Sequence, residues 1–309
     1  MRVLVTGGTG FVGRWLVREL EAGGHVPVVA PASSILDLED ATAVGALVAA
    51  AAPDAIAHLA AISFGPDATA DPAAAMRTNV GGTIAVVESA IARGVPLLAV
   101  SSSEVYRVGP DIAMPLTERS AVGPRSVYGL TKAGGEGVVL GAASRGLDAV
   151  VVRPFNHTGP GQRPTFAVPA FAGRILEARG RGDSWIRAGN VDAARDLSDV
   201  RDVVAAYRLL LEALVAGIPS TAPRLFNMAS GQAVTMRDVI SRLARVAGVQ
   251  ISVEPDPSLL RPDDPALIVG SAERLHAFTG WTPRIDLEET LRDVLAARDV
   301  ELLSSRPRA

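Results

Sequence analysis

A glycine-rich segment, Thr6-Gly7-Gly8-Thr9-Gly10-Phe11-Val12-Gly13, follows directly on the apolar run Arg2-Val3-Leu4-Val5-Thr6. It leads into an amphipathic stretch from Phe11 to Ala22, with Phe11, Leu16, Val17 and Leu20 apolar and Arg14, Arg18, Glu19 and Glu21 polar. Gly23-Gly24 ends that stretch, and His25 to Ala30 reads as a second strand. A strand that turns through glycines into a helix and then into another strand opens a parallel sheet covered by helices. The amides and dipole at the start of such a helix suit the pyrophosphate of a dinucleotide. Gly7, Gly10 and Gly13 satisfy one fingerprint spacing, and Gly8, Gly10 and Gly13 satisfy another. Spacing alone leaves open which glycine makes the turn.

Strands and helices keep alternating. After Asp37-Leu38, a helix is predicted over Asp40 to Ala52, a strand over Ala55 to Ala60, a helix over Asn79 to Arg93 and a strand over Pro96 to Val100. A helix from Tyr128 to Ser144 and a strand from Ala149 to Arg153 follow. The fold expected is α/β, a Rossmann-type doubly wound parallel sheet with a smaller C-terminal α/β substrate domain. The dinucleotide domain is placed at 1–156 plus about 191–228, and the substrate domain at 157–190 and 229–309. Within the latter, a helix is read over Phe166 to Ala178 and a glycine- and arginine-rich loop up to Arg195. A helix from Asp199 to Ala216 and a strand from Leu225 to Met228 come next. Thr235 with Asp238 reads as the cap of a helix running to Ala247. The proline-rich stretch Glu254 to Pro265 reads as a surface loop, Leu287 to Ala297 as the last helix, and Ser304 to Ala309 as a disordered tail.

The 309 residues include no cysteine, which excludes disulfides and thiolate chemistry. A net charge of −3 with scattered basic residues gives no sign of a nucleic-acid partner. No apolar run approaches the roughly 20 residues of a membrane span. With no signal-peptide pattern at the N-terminus, a soluble cytoplasmic protein is the expectation. The dispersed His25, His58 and His276 offer no metal site.

The second informative feature is Tyr128 with Lys132, in Val127-Tyr128-Gly129-Leu130-Thr131-Lys132. Four residues apart, they share one helix face. The ammonium is expected to favour the phenolate and lower the tyrosine pKa, so that the phenol exchanges a proton with a carbonyl or hydroxyl group. The pair recurs often by chance; its setting downstream of the glycine turn gives it meaning. Gly134, Gly135, Gly137 and Gly141 each cost roughly 1 kcal/mol in a helix interior, so propensity speaks against the helix that the pair requires.

Together with Asp37-Leu38, His58-Leu59-Ala60-Ala61, Asn79-Val80-Gly81-Gly82-Thr83, Ser101 to Tyr106 and Arg153-Pro154-Phe155-Asn156, these motifs resemble the extended short-chain dehydrogenase/reductase family over nearly the whole chain. A finer resemblance, to the GDP-mannose 4,6-dehydratases and GDP-4-keto-6-deoxymannose reductases, rests on the run from Arg153 to Gln162, on Gly189 to Asp196 with Asp199 to Val203, and on Leu260-Arg261-Pro262. The compact length favours the reductases.

The resemblance implies catalytic roles for Tyr128, Lys132 and Ser102, with Ser103 as the substitute for Ser102. Alternation along a strand would point Ser102 away from both neighbours. Glu104 matches the carboxylate that removes a C5 proton in the dehydratases, but would only shape the pocket in a reductase. Gly7, Gly10, Phe11, Val12, Gly13, Asp37, Leu38, Leu59, Ala60, Ala61 and Pro154, with Tyr128 and Lys132, would hold the cofactor. Ser103, Asn156, Arg195 and Arg261 would hold the sugar nucleotide, the arginines pairing with its diphosphate. Asn79 resembles the family's structural asparagine, with a helix-capping or a catalytic role expected.

The cofactor is NADP or NAD. Ala30-Pro31-Ala32 carries neither the acid that selects NAD nor an arginine for the 2′-phosphate; Ser33, Ser34 and Arg14 tilt the choice toward NADP. The implied partners are a nucleotide sugar, GDP-linked, and a second copy of the chain docked through the helices near Asn79 and Tyr128. The leading expectation is an NAD(P)-dependent reductase of a nucleotide-linked 4-keto-6-deoxy sugar. A dehydratase or 4-epimerase that retains its cofactor, and a non-catalytic dinucleotide-binding sensor, are the alternatives. Arg107 in place of a usual glycine, the short segment between Ala30 and Asp37, and Ser63-Phe64-Gly65-Pro66 depart from the family pattern.

Overall fold

The computed structural model describes residues 1–260 and 264–304. The first half is β1 (Arg2–Thr6), α1 (Phe11–Ala22), β2 (Val26–Val29), α2 (Ala41–Ala51), β3 (Ala55–His58), α3 (Gly65–Ala70), α4 (Pro72–Met76), α5 (Gly82–Arg93) and β4 (Leu97–Val100). Local chemistry sets several of these boundaries. Asp40 caps α2 by accepting from the Thr42 and Ala43 amides, and Asp71 caps α4 through the Ala74 amide. A π-helical turn, Arg77–Gly81, joins α4 to α5.

The second half begins with α6 (Val127–Ala143), whose cap Ser126 accepts from the Gly129 amide. It continues through β5 (Ala149–Pro154), β6 (Asn156–Thr158), α7 (Ala167–Arg181), β7 (Trp185–Ala188), β8 (Ala194–Asp199), α8 (Val200–Ala216) and β9 (Leu225–Met228). Then come β10 (Ala233–Thr235), α9 (Met236–Val246), β11 (Ser252–Pro255), β12 (Leu267–Ile268), α10 (Glu273–Thr279) and α11 (Leu287–Ser304). Thr235 caps α9 through the Asp238 amide, as its spacing predicts.

The central sheet is parallel, in the order β2-β1-β3-β4-β5-β9. Its strand order reverses at β1, which puts a crevice for ligands outside the carboxyl ends of β1 and β3. The short segment 30–40 holds no strand, so β2 is the sheet edge. Both faces are covered. Leu16 and Leu20 of α1, with Val203, Tyr207, Leu210, Leu211 and Leu214 of α8, fill one side. Val44 and Val48 of α2, Val86 and Val87 of α5, and Val139 of α6 fill the other. Each fully buried Val or Leu contributes on the order of 1.5–3 kcal/mol. That two-sided burial explains why the strands read as continuous apolar runs instead of alternating ones.

A second core lies between α7, α9, α11 and β7, built around Phe171, Ile175, Ile186, Val239, Leu243 and Leu291. Beside it, β8 pairs with β10, β12 and β6, and β7 pairs with β11.

Several local expectations need correction. The stretch read as a loop up to Arg195 contains β7 and the start of β8, and Glu254 to Pro265 begins within β11. These short strands find partners distant in sequence, which local pattern does not show. The chain is already helical before Asn79, which sits in the π-turn. Gly65-Pro66 starts α3, where proline suits the first helical turn. The last helix extends to Ser304, and the rest of the expected tail lies outside the described residues. The α6 helix forms despite its glycines. Gly134 lies against Val80, and Gly135 against Asn79 and Thr83, while Gly137 and Gly141 have open space or a flexible arginine beside them. Close packing thus accounts for two of the four.

Candidate active site

The glycine turn resolves into defined roles. Gly7 has φ +73°, and a Cβ there would lie 2.7 Å from the Ala60 amide nitrogen, so only glycine lets β1 pass the end of β3. The Gly10 amide donates to the Gly7 carbonyl at 3.0 Å, and Gly10 caps α1 without any side chain. No side chain therefore takes the first amides of α1, and a phosphate fits that position. Phe11 and Val12 begin α1, and Gly13 packs against the turn. Leu59, Ala60 and Ala61 are half-buried beside it. Leu38 packs on Gly82, while exposed Asp37 accepts from the Glu39 amide. Arg14 donates to the Thr9 and Gly161 carbonyls.

β4 ends at Val100, and Ser102 caps a short 3-10 turn over Ser103–Val105, so strand alternation does not extend through the three serines. Ser101 donates inward to Glu136 at 2.8 Å. Ser102, 8% exposed, accepts from the Glu104 amide at 3.1 Å and also bonds the Tyr128 phenol. Ser103 is equally buried. The close approach of this turn to α6 depends on Gly129, where any Cβ would collide with the Glu104 carbonyl oxygen. Ser126 fastens the same junction, donating to the Glu104 carboxylate at 2.6 Å. The structure thus brings Ser102, Tyr128 and Lys132 together, with Glu104 on the rim.

The expected depression of the Tyr128 pKa is overturned. Burial of the phenol, then the Glu104 carboxylate, push it above its ordinary value, against the pull of the Ser102 hydrogen bond. Burial also lowers Lys132, to about 8, with Glu136 opposing the fall. Both groups are half-buried and lose hydration on the same helix face, so each is driven toward its neutral form. A phenol so raised is a protonated acid at neutral pH.

Of the polar layer beneath the site, sequence reasoning singled out only Asn79, which lies within the π-turn and caps no helix. Asn79 accepts from the Ile62 amide and donates to the Ile62 carbonyl and to Thr131 Oγ1. It therefore clamps the chain after β3 onto α6. His58 bridges Thr6 Oγ1 (2.7 Å) and Thr83 Oγ1 (3.1 Å), and burial with the nearby Lys132 charge lowers its pKa to about 3. Arg153 forms a bidentate pair with Glu136 and lies 4.6 Å over the Tyr106 ring. The spacing Tyr128, Lys132, Glu136 is the signal that was available, since it continues one helix stripe.

The other expected positions are more dispersed. Pro154 is buried at the end of β5, and Asn156 is exposed just beyond it. Arg195 is engaged by Asp264 at 2.5 Å and by the Ala194 and Pro265 carbonyls. Arg261 lies outside the described residues. His157 stacks on Phe11. Arg107 is exposed and paired with Asp111. Phe64 meets Phe166 edge-on, with Arg163 over both rings. Among the described residues no cluster of potential metal ligands occurs, and no helix is long and apolar enough to cross a membrane.

Residues 3–229 match the NAD dependent epimerase/dehydratase family. The chain is 35% identical to GDP-6-deoxy-D-mannose reductase of Pseudomonas aeruginosa over 300 residues, 96% of each chain. It superposes on the solved structure of RMD from Pseudomonas aeruginosa complexed with NADPH with a TM-score of 0.86 and 32% identity, covering 97% of this chain and 100% of that one. A UDP-glucose 4-epimerase of Thermus thermophilus in complex with NAD follows at TM-score 0.81 and 28% identity, covering 97% and 99%.

Proposed function

The chain belongs to the NAD dependent epimerase/dehydratase family, and from that premise we propose that it is an NAD(P)-dependent reductase of a nucleotide-linked 4-keto-6-deoxy sugar. The observation that carries the reading is the junction of Ser102 and Tyr128 above Lys132, at the strand ends beside the glycine turn. The likeness to the GDP-6-deoxy-D-mannose reductase supports a GDP-linked substrate, reduced to a GDP-deoxyhexose of the rhamnose type.

When bound, the nicotinamide cofactor supplies the hydride. Gly7, Gly10 and the first amides of α1 hold its pyrophosphate. Leu38, Leu59, Ala60, Ala61 and Pro154 line its groove, and Lys132 holds the ribose. Ser102 hydrogen-bonds the C4 ketone oxygen, and Tyr128 delivers a proton to that oxygen. Lys132, as the ammonium, and Ser102 stabilise the phenolate left behind. Asn156, Arg195 and Arg261 receive the sugar nucleotide, with Arg195 first exchanging Asp264 for phosphate. NADPH is the favoured cofactor, consistent with the absence of an acidic residue at 30–32 and with the NADPH complex of the similar reductase. We assign 1–156 with 191–228 to cofactor binding and 157–190 with 229–309 to substrate binding. We also assign a homodimer to α5 and α6, which expose Ile84, Ile91 and Leu130.

The test is loss of reduced-nicotinamide absorbance with GDP-4-keto-6-deoxymannose, using NADPH and NADH separately. Cofactor that stays bound through purification, with no consumption of free NADPH or NADH, would move the assignment to a dehydratase or epimerase. Glu104→Gln separates these further. As Glu104 supports the Ser126 cap and stands exposed, the variant should keep reduction within about threefold, whereas a required base would cost about 10²-fold or more.

The pH profile follows from Lys132. Its ammonium is the working form, so kcat/KM for reduction should be level below about pH 7. It should fall above pH 8, toward roughly tenfold per unit, as the amine deprotonates. A profile that stays level to pH 10 would remove the ammonium from the mechanism.

A further inference from the structure

Of the 30 lysine and arginine residues in the chain, Lys132 is the only lysine. Everywhere else a cation is needed, arginine fills the position, and arginine keeps its charge whatever its surroundings. The one ammonium stands a single helical turn after Tyr128 on α6, where burial makes it titratable. One helical turn further along α6 is Glu136, 8% exposed. Its carboxylate accepts from Ser101 Oγ at the end of β4, and from Arg153 Nε (2.9 Å) and Nη2 at the end of β5. Glu136, Lys132 and Ser101 line one small cavity with His58, Asn79 and Thr83. Ser101 adjoins Ser102, so the carboxylate also ties the helix bearing Tyr128 to the strand bearing its hydrogen-bond partner.

We propose that Glu136 is a positioning residue of the reaction, holding Lys132 in its ammonium form and fixing α6 to the ends of β4 and β5. This rests on the reductase reading for its consequence in turnover, though not for its effect on Lys132. The charged and titratable groups facing the pair are few. His58 comes from β3 and Arg153 from β5, while Tyr128 lies one turn back on α6, with Glu104 from the turn after β4 acting on it and Tyr207 of α8 coupled to it. The π-turn and α5 present the uncharged Asn79 and Thr83. Asp67, Asp71, Arg77, Glu88 and Arg93, on the elements packed against α6, are all exposed. Glu136 is the anion that opposes the desolvation of Lys132. Arg153 and Ser101 hold that anion in place without discharging it.

Because the chain has a single lysine, the full-length protein labelled with [13Cε,15Nζ]lysine gives one side-chain signal, whose titration reports Lys132 directly. The wild-type midpoint is expected near pH 8 and that of Glu136→Gln lower by about one unit or more. The alkaline limb of kcat/KM should move with it. If Glu136→Gln does not fold, Arg153→Met is compared with Glu136→Gln/Arg153→Met, where only the Glu136 charge changes, and the same fall is expected between those two. An unchanged midpoint in the folded variant overturns the proposal, even if stability or activity drops. A shifted midpoint without any turnover of sugar nucleotides would leave it standing and reject the reductase reading instead.

Discussion

Tyr128→Phe is expected to lower kcat for sugar-nucleotide reduction by about 10²–10⁴-fold, the usual worth of a positioned proton donor. The substitution removes one oxygen and little else. The ring stays on α6, Gly129 still admits the Glu104 carbonyl, and the Ser126 cap is untouched. Cofactor affinity should therefore change little, because the glycine turn and the start of α1 lie on different elements. The comparison needs single-turnover rates with NADPH and a cofactor titration on the same preparation. Retention of more than a tenth of the wild-type rate would show that the proton comes from elsewhere. Because burial and Glu104 both raise the phenol, the wild-type acid is in its donating form throughout the neutral range, so the loss should be independent of pH there.

Arg153→Met is the second large effect, on stability. Arg153 is 3% exposed and holds Glu136 with two of its nitrogens. Without it the carboxylate remains buried with only the Ser101 hydroxyl as a hydrogen-bond donor, and removing one member of a buried pair costs about 3–5 kcal/mol. Lost packing on Tyr106 adds to this. Urea denaturation measures it. Adding Glu136→Gln to Arg153→Met should recover much of the loss, since it removes the stranded charge, and the two substitutions should be clearly non-additive. A single-variant loss below about 1 kcal/mol, or strict additivity, would mean that water or another group already compensates the carboxylate. The same pair thus links stability to the Lys132 titration.

Much of the fold was legible in the chain because its signals are local. The apolar runs of β1, β3, β4 and β5, the glycine-rich turn, the amphipathic α1 and the Thr235 cap each sit within a few residues, though only the structure singles out Gly7 within that turn. The ordered motifs then located Ser102, Tyr128 and Lys132. The short strands β6, β7, β8, β11 and β12 were not legible. Their two to six residues gain stability from partners far along the chain, and no local period marks them. Arg195 shows the same limit within the site, for nothing near it in sequence announces Asp264.

Sequence by itself determined the doubly wound sheet, the dinucleotide turn and the acid–lysine pair, since each is written in glycine placement and helical spacing. Only the tertiary structure decided the protonation of that pair. Lys132 alone would lower Tyr128, but burial acts on both groups at once, and burial comes from the strands and helices that close around them. Glu136 enters for the same reason. Its place on the helix stripe was visible, while its Arg153 and Ser101 partners arrive from two strands that only folding brings beside α6.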